Sequence, residues 1–230
     1  GAVNINELSK KVIKEKANIG FAFDGDGDRL IIVDEKGNEI DGDKIIALFA
    51  KHLVDLKKTK TKFPIITTLM SNIGLENYLL SNLKIKLKRS LVGDINVIKE
   101  MRKHKSILGG EQSGHIILSE YSKTGDGILA ALKVTEIISK LKKPTSSIFN
   151  LYNNFPQIKI NIPYTNISKK CIKYIKNLNN KKIKDKNTRL LIRLSGTEPL
   201  IRILVEGKDF KSVQAHAQSI EKDIRINLGK

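Results

Sequence analysis

The sequence predicts an α/β protein closed by a small α+β domain, and three observations carry that reading. Between residues 64 and 144, short β-branched runs alternate with stretches of helical spacing. Lys142-Lys-Pro144 and Pro156 then punctuate the chain where the alternation stops. From Pro156 to the last residue the order is β-α-β-β-α. With 230 residues, 40% hydrophobic and 29% charged, the chain can bury a core and is not disordered by composition.

Val3 to Lys16 has the spacing of a short amphipathic helix. Ile19–Phe23 and Leu30–Val33 are β-rich runs too short for helices, separated by Asp-Gly repeats. Asp43 to Leu56 returns to helical spacing, with Asp41-Gly-Asp43 as its start signal. Strands follow at Ile65–Leu69, Lys84–Leu87 and Ser106–Leu108, with helices around Leu75–Leu83 and from about Asn96. A hairpin-like Gly114–Leu118 precedes a long helix from Asp126 to Leu141. The last domain reads as strand Ile158–Ile162, helix Lys170–Leu178, strands Arg189–Arg193 and Leu200–Glu206, and helix Phe210–Leu228. One helix and two strands ahead of residue 41 are small for a domain, so further chain is expected upstream of Gly1.

Composition narrows the function classes. No apolar run approaches the roughly 18 residues of a membrane span, and the first residues lack the apolar stretch of a signal peptide. The single cysteine, Cys171, cannot form an internal disulfide or build a zinc knuckle, so a reducing, cytoplasmic setting is expected. The net charge is +18, but 35 of the 42 positive residues are lysine, beside abundant asparagine and isoleucine. Those three residues have the codons richest in A and T, so base composition accounts for the charge without an anionic partner. Lys57, Lys58, Lys60 and Lys62, like Lys181, Lys182, Lys184 and Lys186, read as solvated faces. Nucleic-acid readers add arginine forks or stacking aromatics, and aromatics are only 5% here. Neither nucleic acid nor a membrane is an expected partner.

Three loops carry chemistry. In Asp24-Gly-Asp-Gly-Asp28-Arg29, carboxylates at alternate positions converge only where the chain folds back, which the glycines permit. Like charges so close repel unless a cation neutralises them, and hard oxygen ligands suit Mg²⁺, Mn²⁺ or Ca²⁺. Asp24, Asp26, Asp28 and Glu35 also fit EF-hand spacing, but Arg29 stands where that loop needs glycine, and the flanks are strands. The competing reading is a solvated Asp-Gly hairpin. The second loop, Gly109-Gly-Glu-Gln-Ser-Gly-His115, offers a carboxylate, a hydroxyl and an imidazole to the hydroxyls of a sugar. His52, His104 and His216 read as structural. The third, Arg193-Leu-Ser-Gly-Thr197-Glu-Pro-Leu-Ile-Arg202, gathers backbone N–H groups, hydroxyls and two guanidinium groups, as a phosphate site does. Against an ordinary Ser-Gly turn stand the two arginines.

Together these loops describe a metal, a polyol and a phosphate. With Thr68-Leu-Met-Ser-Asn-Ile-Gly-Leu-Glu76, Thr124-Gly-Asp-Gly127 and Phe155-Pro-Gln157, the chain resembles the α-D-phosphohexomutase superfamily along essentially its whole length. Within it, the bacterial phosphoglucosamine mutases are the most similar branch, because Gln112 stands where the mannose and glucose branch more often carries methionine. The resemblance implies phosphohexomutase-like mixed-sheet α/β domains followed by a small C-terminal α+β domain. Residues 1–40 would complete a second domain with the metal loop. Residues 41–148 would form a third with the sugar loop, and 156–230 a fourth with the phosphate loop.

It further implies that Asp24, Asp26 and Asp28 hold Mg²⁺ beside a phosphoserine, with Arg29 near the phosphoryl group as the catalytic cation. Glu111, Ser113 and His115 would address the sugar; Arg193, Ser195, Gly196, Thr197 and Arg202 would grip the phosphate that is not reacting. The implied reaction interconverts glucosamine 6-phosphate and glucosamine 1-phosphate through a 1,6-bisphosphate, for UDP-N-acetylglucosamine and cell-wall precursors. The phosphoserine motif, Thr-x-x-Ser in a first domain, is expected outside this chain, so the chain alone is expected to be inactive and to need an N-terminal half as partner. Val92-Gly-Asp94 is followed by Ile95 and Asn96, where relatives carry arginine and tyrosine. A phosphomannomutase or phosphoglucomutase is the sibling alternative; a non-catalytic phosphosugar-binding remnant is the alternative from another class.

Overall fold

In a computed structural model of the chain, residues 5–56, 63–180, 188–196 and 198–228 are described. Val3, the two lysine clusters named above and Thr197 lie outside the described residues. The chain forms two compact units, residues 1–153 and 154–230. Sheets and helices are mixed in both, as an α/β chain ending in an α+β unit requires. Among the described residues no helix is long and apolar enough to cross a membrane.

The first unit opens with helix α1 (Asn6–Lys14) and strands β1 (Ile19–Phe23), β2 (Leu30–Asp34) and β3 (Glu39–Ile40), which form an antiparallel sheet in chain order. The central β2 is buried along its whole length, which explains its unbroken Leu-Ile-Ile-Val run. Asp34 closes the β2–β3 turn: its carboxylate accepts from the amides of Lys36 and Asn38 at 2.9 and 2.8 Å. The two-residue β3 is too short for a sequence pattern to reveal.

A second, mixed sheet follows. Its strands are β4 (Ile65–Thr68), β5 (Leu87–Ser90), β6 (Leu108–Gly110) and β7 (Ile116–Leu118), in the order β5-β4-β6-β7. β4 runs parallel to β5 and β6, and β7 antiparallel to β6. Helices α2 (Gly42–Asp55), α3 (Ile73–Leu83), α4 (Asp94–His104), α5 (Gly127–Leu141) and the short α6 (Thr145–Phe149) complete the unit. The pleat of β4 sorts its side chains between two cores: Ile65 joins the α2, α3 and α5 side, while Ile66 joins Val97 and Met101 of α4. Asp41 caps α2, its carboxylate accepting from the Lys44 amide at 3.1 Å, so the helix begins at Gly42 rather than Asp43.

Two strands sit elsewhere than expected. β5 was expected at 84–87 and forms at 87–90, because Lys84 (φ 58°) ends α3 in the left-handed conformation and Ile85 N–H still donates to Leu79 O at 2.9 Å. β6 was expected at 106–108 and forms at 108–110, since pairing to β4 is centred on Gly109. A Cβ on Gly109 would lie 2.5 Å from Met101 Sδ, so this glycine is strand under a helix, not loop. The loop that follows is correspondingly short, residues 111–115.

The second unit is a three-stranded antiparallel sheet, β8 (Gln157–Pro163), β9 (Arg189–Leu194) and β10 (Leu200–Glu206), ordered β8-β10-β9, with helices α7 (Lys169–Asn180) and α8 (Phe210–Asn227). Ile201, Ile203 and Val205 of β10 meet Cys171 and Ile175 of α7 and Val213, Ala217 and Ile224 of α8. The alternate residues Arg202 and Glu206 therefore belong to the other face of the sheet. There Glu206 is fully buried, with Arg189 Nη2 at 2.7 Å and Gln157 Nε2 at 2.9 Å.

Candidate functional site

In the first unit, the loops that carry charged and polar groups gather at the C-terminal ends of β4, β5 and β6, the end where open α/β sheets bind ligands. The β1–β2 connection, residues 24–29, is tied directly to them. Arg29 and His115 pair as an antiparallel bridge, Leu30 N–H donates to Gly114 O at 2.9 Å, and Gly127 N–H donates to Gly27 O at 3.0 Å. Contact is so close that a Cβ on Gly114 would lie 2.2 Å from Leu30 O, and Gly114 also has φ +95°.

Oxygens of Asp24, Asp26 and Asp28 all lie within 4.8 Å of one another. Arg29 is folded back on the loop, with its amide 3.1 Å from Asp24 Oδ1 and its Nε 3.3 Å from Asp24 Oδ2. Asp28 Oδ2 faces His115 Nδ1 at 3.0 Å. Its other oxygen, Oδ1, is buried without a hydrogen-bond partner, and the nearest cation, Arg29 Nε, stands 4.0 Å away. Burial and then the Asp24 carboxyl push Asp28 above the usual carboxylate range. Burial would raise Asp24 too, but the Arg29 amide and the Asp28 carboxyl hold it below that range. Three convergent carboxylates and an orphaned oxygen fit a hard divalent ion.

The loop 111–115 is held in place by its own backbone: Glu111 N–H donates to His115 O at 2.9 Å, and Gly42 N–H to Gln112 O at 3.0 Å. Glu111 Oε1 accepts from the Gly93 amide at 3.1 Å, and Ser113 is exposed. Gly93 was not among the expected site residues; the Val92-Gly-Asp94 motif was the signal that pointed to it. Ile95 of the same turn is 61% exposed, and Asn96 Nδ2 donates back to Val92 O at 2.8 Å. Expected beside Glu111 and Ser113 as a sugar ligand, His115 is only 3% exposed and turned onto Asp28. His104 bonds Glu100 and Lys88, and His216 bonds Ser212 O within its own helix.

In the second unit, Arg193 and Arg202 are cross-strand partners on β9 and β10. The Nε atoms of both are buried without hydrogen-bond partners. Burial, then the Arg202 charge, lowers the pKa of Arg193, as two facing cations demand. Arg202 Nη2 reaches Glu198 Oε2 at 2.5 Å. The β9–β10 turn is closed by Ser195 N–H to Leu200 O at 2.8 Å, and a Cβ at Gly196 would meet nothing within 4 Å. An anion placed here would relieve the Arg193–Arg202 repulsion.

Residues 41–155 match the description of phosphoglucomutase/phosphomannomutase alpha/beta/alpha domain III, and residues 160–223 that of the C-terminal domain of the same family. The chain belongs to the phosphoglucomutase/phosphomannomutase family. It is 44% identical over 234 residues to phosphoglucosamine mutase of Fusobacterium nucleatum, covering 99% of this chain and 51% of that protein. The phosphoglucosamine mutase of Clostridium beijerinckii is 41% identical over 225 residues, covering 96% and 50%. The chain thus spans about half the length of the curated relatives it matches. In fold it resembles a Burkholderia thailandensis phosphoglucomutase/phosphomannomutase family protein (TM-score 0.82, 21% identity, 99% of this chain and 50% of that one). It also resembles Aspergillus fumigatus N-acetylphosphoglucosamine mutase in complex with GlcNAc-6P and magnesium (TM-score 0.72, 18% identity, 90% and 48%).

The family's serine nucleophile was expected outside this chain, yet the spacing Thr-x-x-Ser does occur twice. Ser71 of Thr68–Ser71 is 0% exposed, behind the surface rather than on it. Ser168 of Thr165–Ser168 leads into α7, and its Oγ accepts from the Cys171 amide at 3.1 Å.

Proposed function

We propose that this chain supplies the sugar-recognising, phosphate-binding and metal-holding surfaces of a phosphoglucosamine mutase acting on glucosamine 6-phosphate and glucosamine 1-phosphate, for amino-sugar precursors of the cell wall. The observation that carries the proposal is the interlocking of residues 24–29 with residues 111–115, in a chain of this family. Phosphoryl transfer is mostly positioning and charge neutralisation, and both kinds of group are present. Asp24, Asp26 and Asp28 would hold Mg²⁺, which when bound supplies positive charge against phosphoryl oxygens. Arg29 contributes a second positive charge on the same loop, beside the reacting phosphoryl group. Glu111 accepts from sugar hydroxyls, with its carboxylate oriented by the Gly93 amide, and the Ser113 hydroxyl can donate or accept. Arg193 and Arg202, with the backbone and hydroxyls of Ser195, Gly196 and Thr197, bind a phosphate group. The phosphoserine would come from the other half of the relatives' length, so this chain by itself binds substrate without converting it.

Chemical-shift mapping with three sugar phosphates tests the reading. Glucosamine 6-phosphate should bind more tightly than glucose 6-phosphate or mannose 6-phosphate, and should move the amides of residues 111–115. Inorganic phosphate should move only those of residues 193–202. Equal affinity for the three sugars would overturn the glucosamine assignment and leave a general phosphohexose site.

A further inference from the structure

A cavity in the first unit lies apart from the loops described above. It opens where the last turns of α2 meet α5 and the end of β7, with walls of Phe49, Leu53, Ile107, Leu118 and Ile137. Gly42, the residue of α2 that is bonded to Gln112, is about 10 to 20 Å along the helix from Phe49 to Leu56. The cavity measures about 130 Å³. Cavities of about 150 Å³ lined by leucine, isoleucine and phenylalanine stay dry and admit benzene. One six-membered aromatic ring is therefore the fitting size. A sugar ring, with a hydroxyl on nearly every carbon, would leave those hydroxyls against apolar walls.

The polar side chains that line it are of two kinds. Lys133 and Glu136 satisfy each other at 3.2 Å, with Lys133 over the Tyr121 ring at 4.4 Å and Lys140 on Glu136 at 2.6 Å. Among the described residues, the half-buried His52 ring and the exposed Glu120 carboxylate have no hydrogen bond or ion pair. His52 reads as structural in the sequence, yet no bond holds its ring. Burial, ahead of the opposing pull of Glu136, keeps its pKa below the ordinary value, so at neutral pH one ring nitrogen accepts and the other donates. Two carboxylates at the lining disfavour an anion. We infer that this cavity binds a small uncharged phenol, its ring between the apolar walls and its hydroxyl on the His52 imidazole. The site is independent of the function proposed above and uses none of its residues.

The test uses the whole chain and 4-fluorophenol, followed by ¹⁹F line width and by ¹H–¹⁵N shifts. Binding should saturate with a Kd of about 1 mM. The shifts should centre on residues 49–56, 118–121 and 133–137 and leave residues 193–202 unmoved. Fluorobenzene, which lacks the hydroxyl, should bind about threefold more weakly or worse, and 4-fluorobenzoate more weakly still. Leu53→Phe, which fills the cavity, should abolish binding. Where thermal unfolding shows that this variant does not fold, Leu56→Trp, at a position 49% exposed, takes its place. His52→Leu should still bind fluorobenzene but lose the preference for the phenol. No saturable shifts in wild type, or wild-type affinity in the filled variant, overturns the site. A phenol preference that survives His52→Leu overturns the role of the imidazole.

Discussion

Asp43 should make the first unit less stable as pH rises from mildly acidic toward neutral. This side chain is completely buried at the start of α2, with Oδ2 accepting from the Asn72 amide at 2.7 Å and Oδ1 making no hydrogen bond. Burial, reinforced by the Asp41 charge, pushes its pKa up to about 7 against the opposing pull of the Asn72 amide, Ser71 and Arg89. In the unfolded chain the group titrates near the ordinary 3.8. Between those two values the folded state holds a proton that the unfolded state has released, so stability falls with rising pH there and is flat above. At about 1.4 kcal/mol per pH unit, the loss between about pH 5 and about pH 7 is roughly 3 kcal/mol. Asp43→Asn cannot titrate but still offers an oxygen to the Asn72 amide. Urea unfolding of both proteins at several pH values, followed by circular dichroism, measures the difference. The gap between wild type and Asp43→Asn should shift by roughly 3 kcal/mol in favour of the variant from about pH 5 to about pH 8. Any offset from the extra amide group cancels in that comparison. The transition of the second unit should not respond to the substitution. Parallel curves for the two proteins would refute the raised pKa, and with it the picture of a carboxyl held neutral beneath the β4–α3 connection.

Two further outcomes are expected. Arg202→Ala should weaken inorganic phosphate binding about tenfold or more by calorimetry, because one charge-assisted contact contributes roughly 1.5–3 kcal/mol; phosphate-induced shifts confined to the lysine-rich α7 would instead indicate unspecific anion binding. Purified chain with Mg²⁺, glucosamine 6-phosphate and a trace of the 1,6-bisphosphate should form no glucosamine 1-phosphate, and product above a no-protein blank would mean that a nucleophile is present after all.

Local pattern settled much of this chain. Residue periods alone placed helices at 43–56 and 126–141, within one residue of α2 and α5, and the strands β1, β2 and β10, because each of these runs has one dominant spacing and its own start or stop signal. The convergence of Asp24, Asp26 and Asp28 was also legible, since carboxylates at alternate positions with glycines between them meet only if the loop curls. Tertiary structure alone decided which loop meets which. Gly109 is strand because Met101 of α4 covers it, and no count of neighbouring residues reveals a helix arriving from another part of the chain. Glu111 is aimed by the amide of Gly93, eighteen residues earlier. His115 lies far along the sequence from Asp28 but 3.0 Å from it in space, which moved the imidazole from the solvent side of its loop to the inside. Asp41 and Asp43 both read as helix-start signals, yet one caps α2 and the other is sealed beneath the β4–α3 connection. Spacing along a chain fixes backbone conformation and which face a residue takes, whereas burial, and therefore protonation and contact, depends on what the rest of the chain lays over that face.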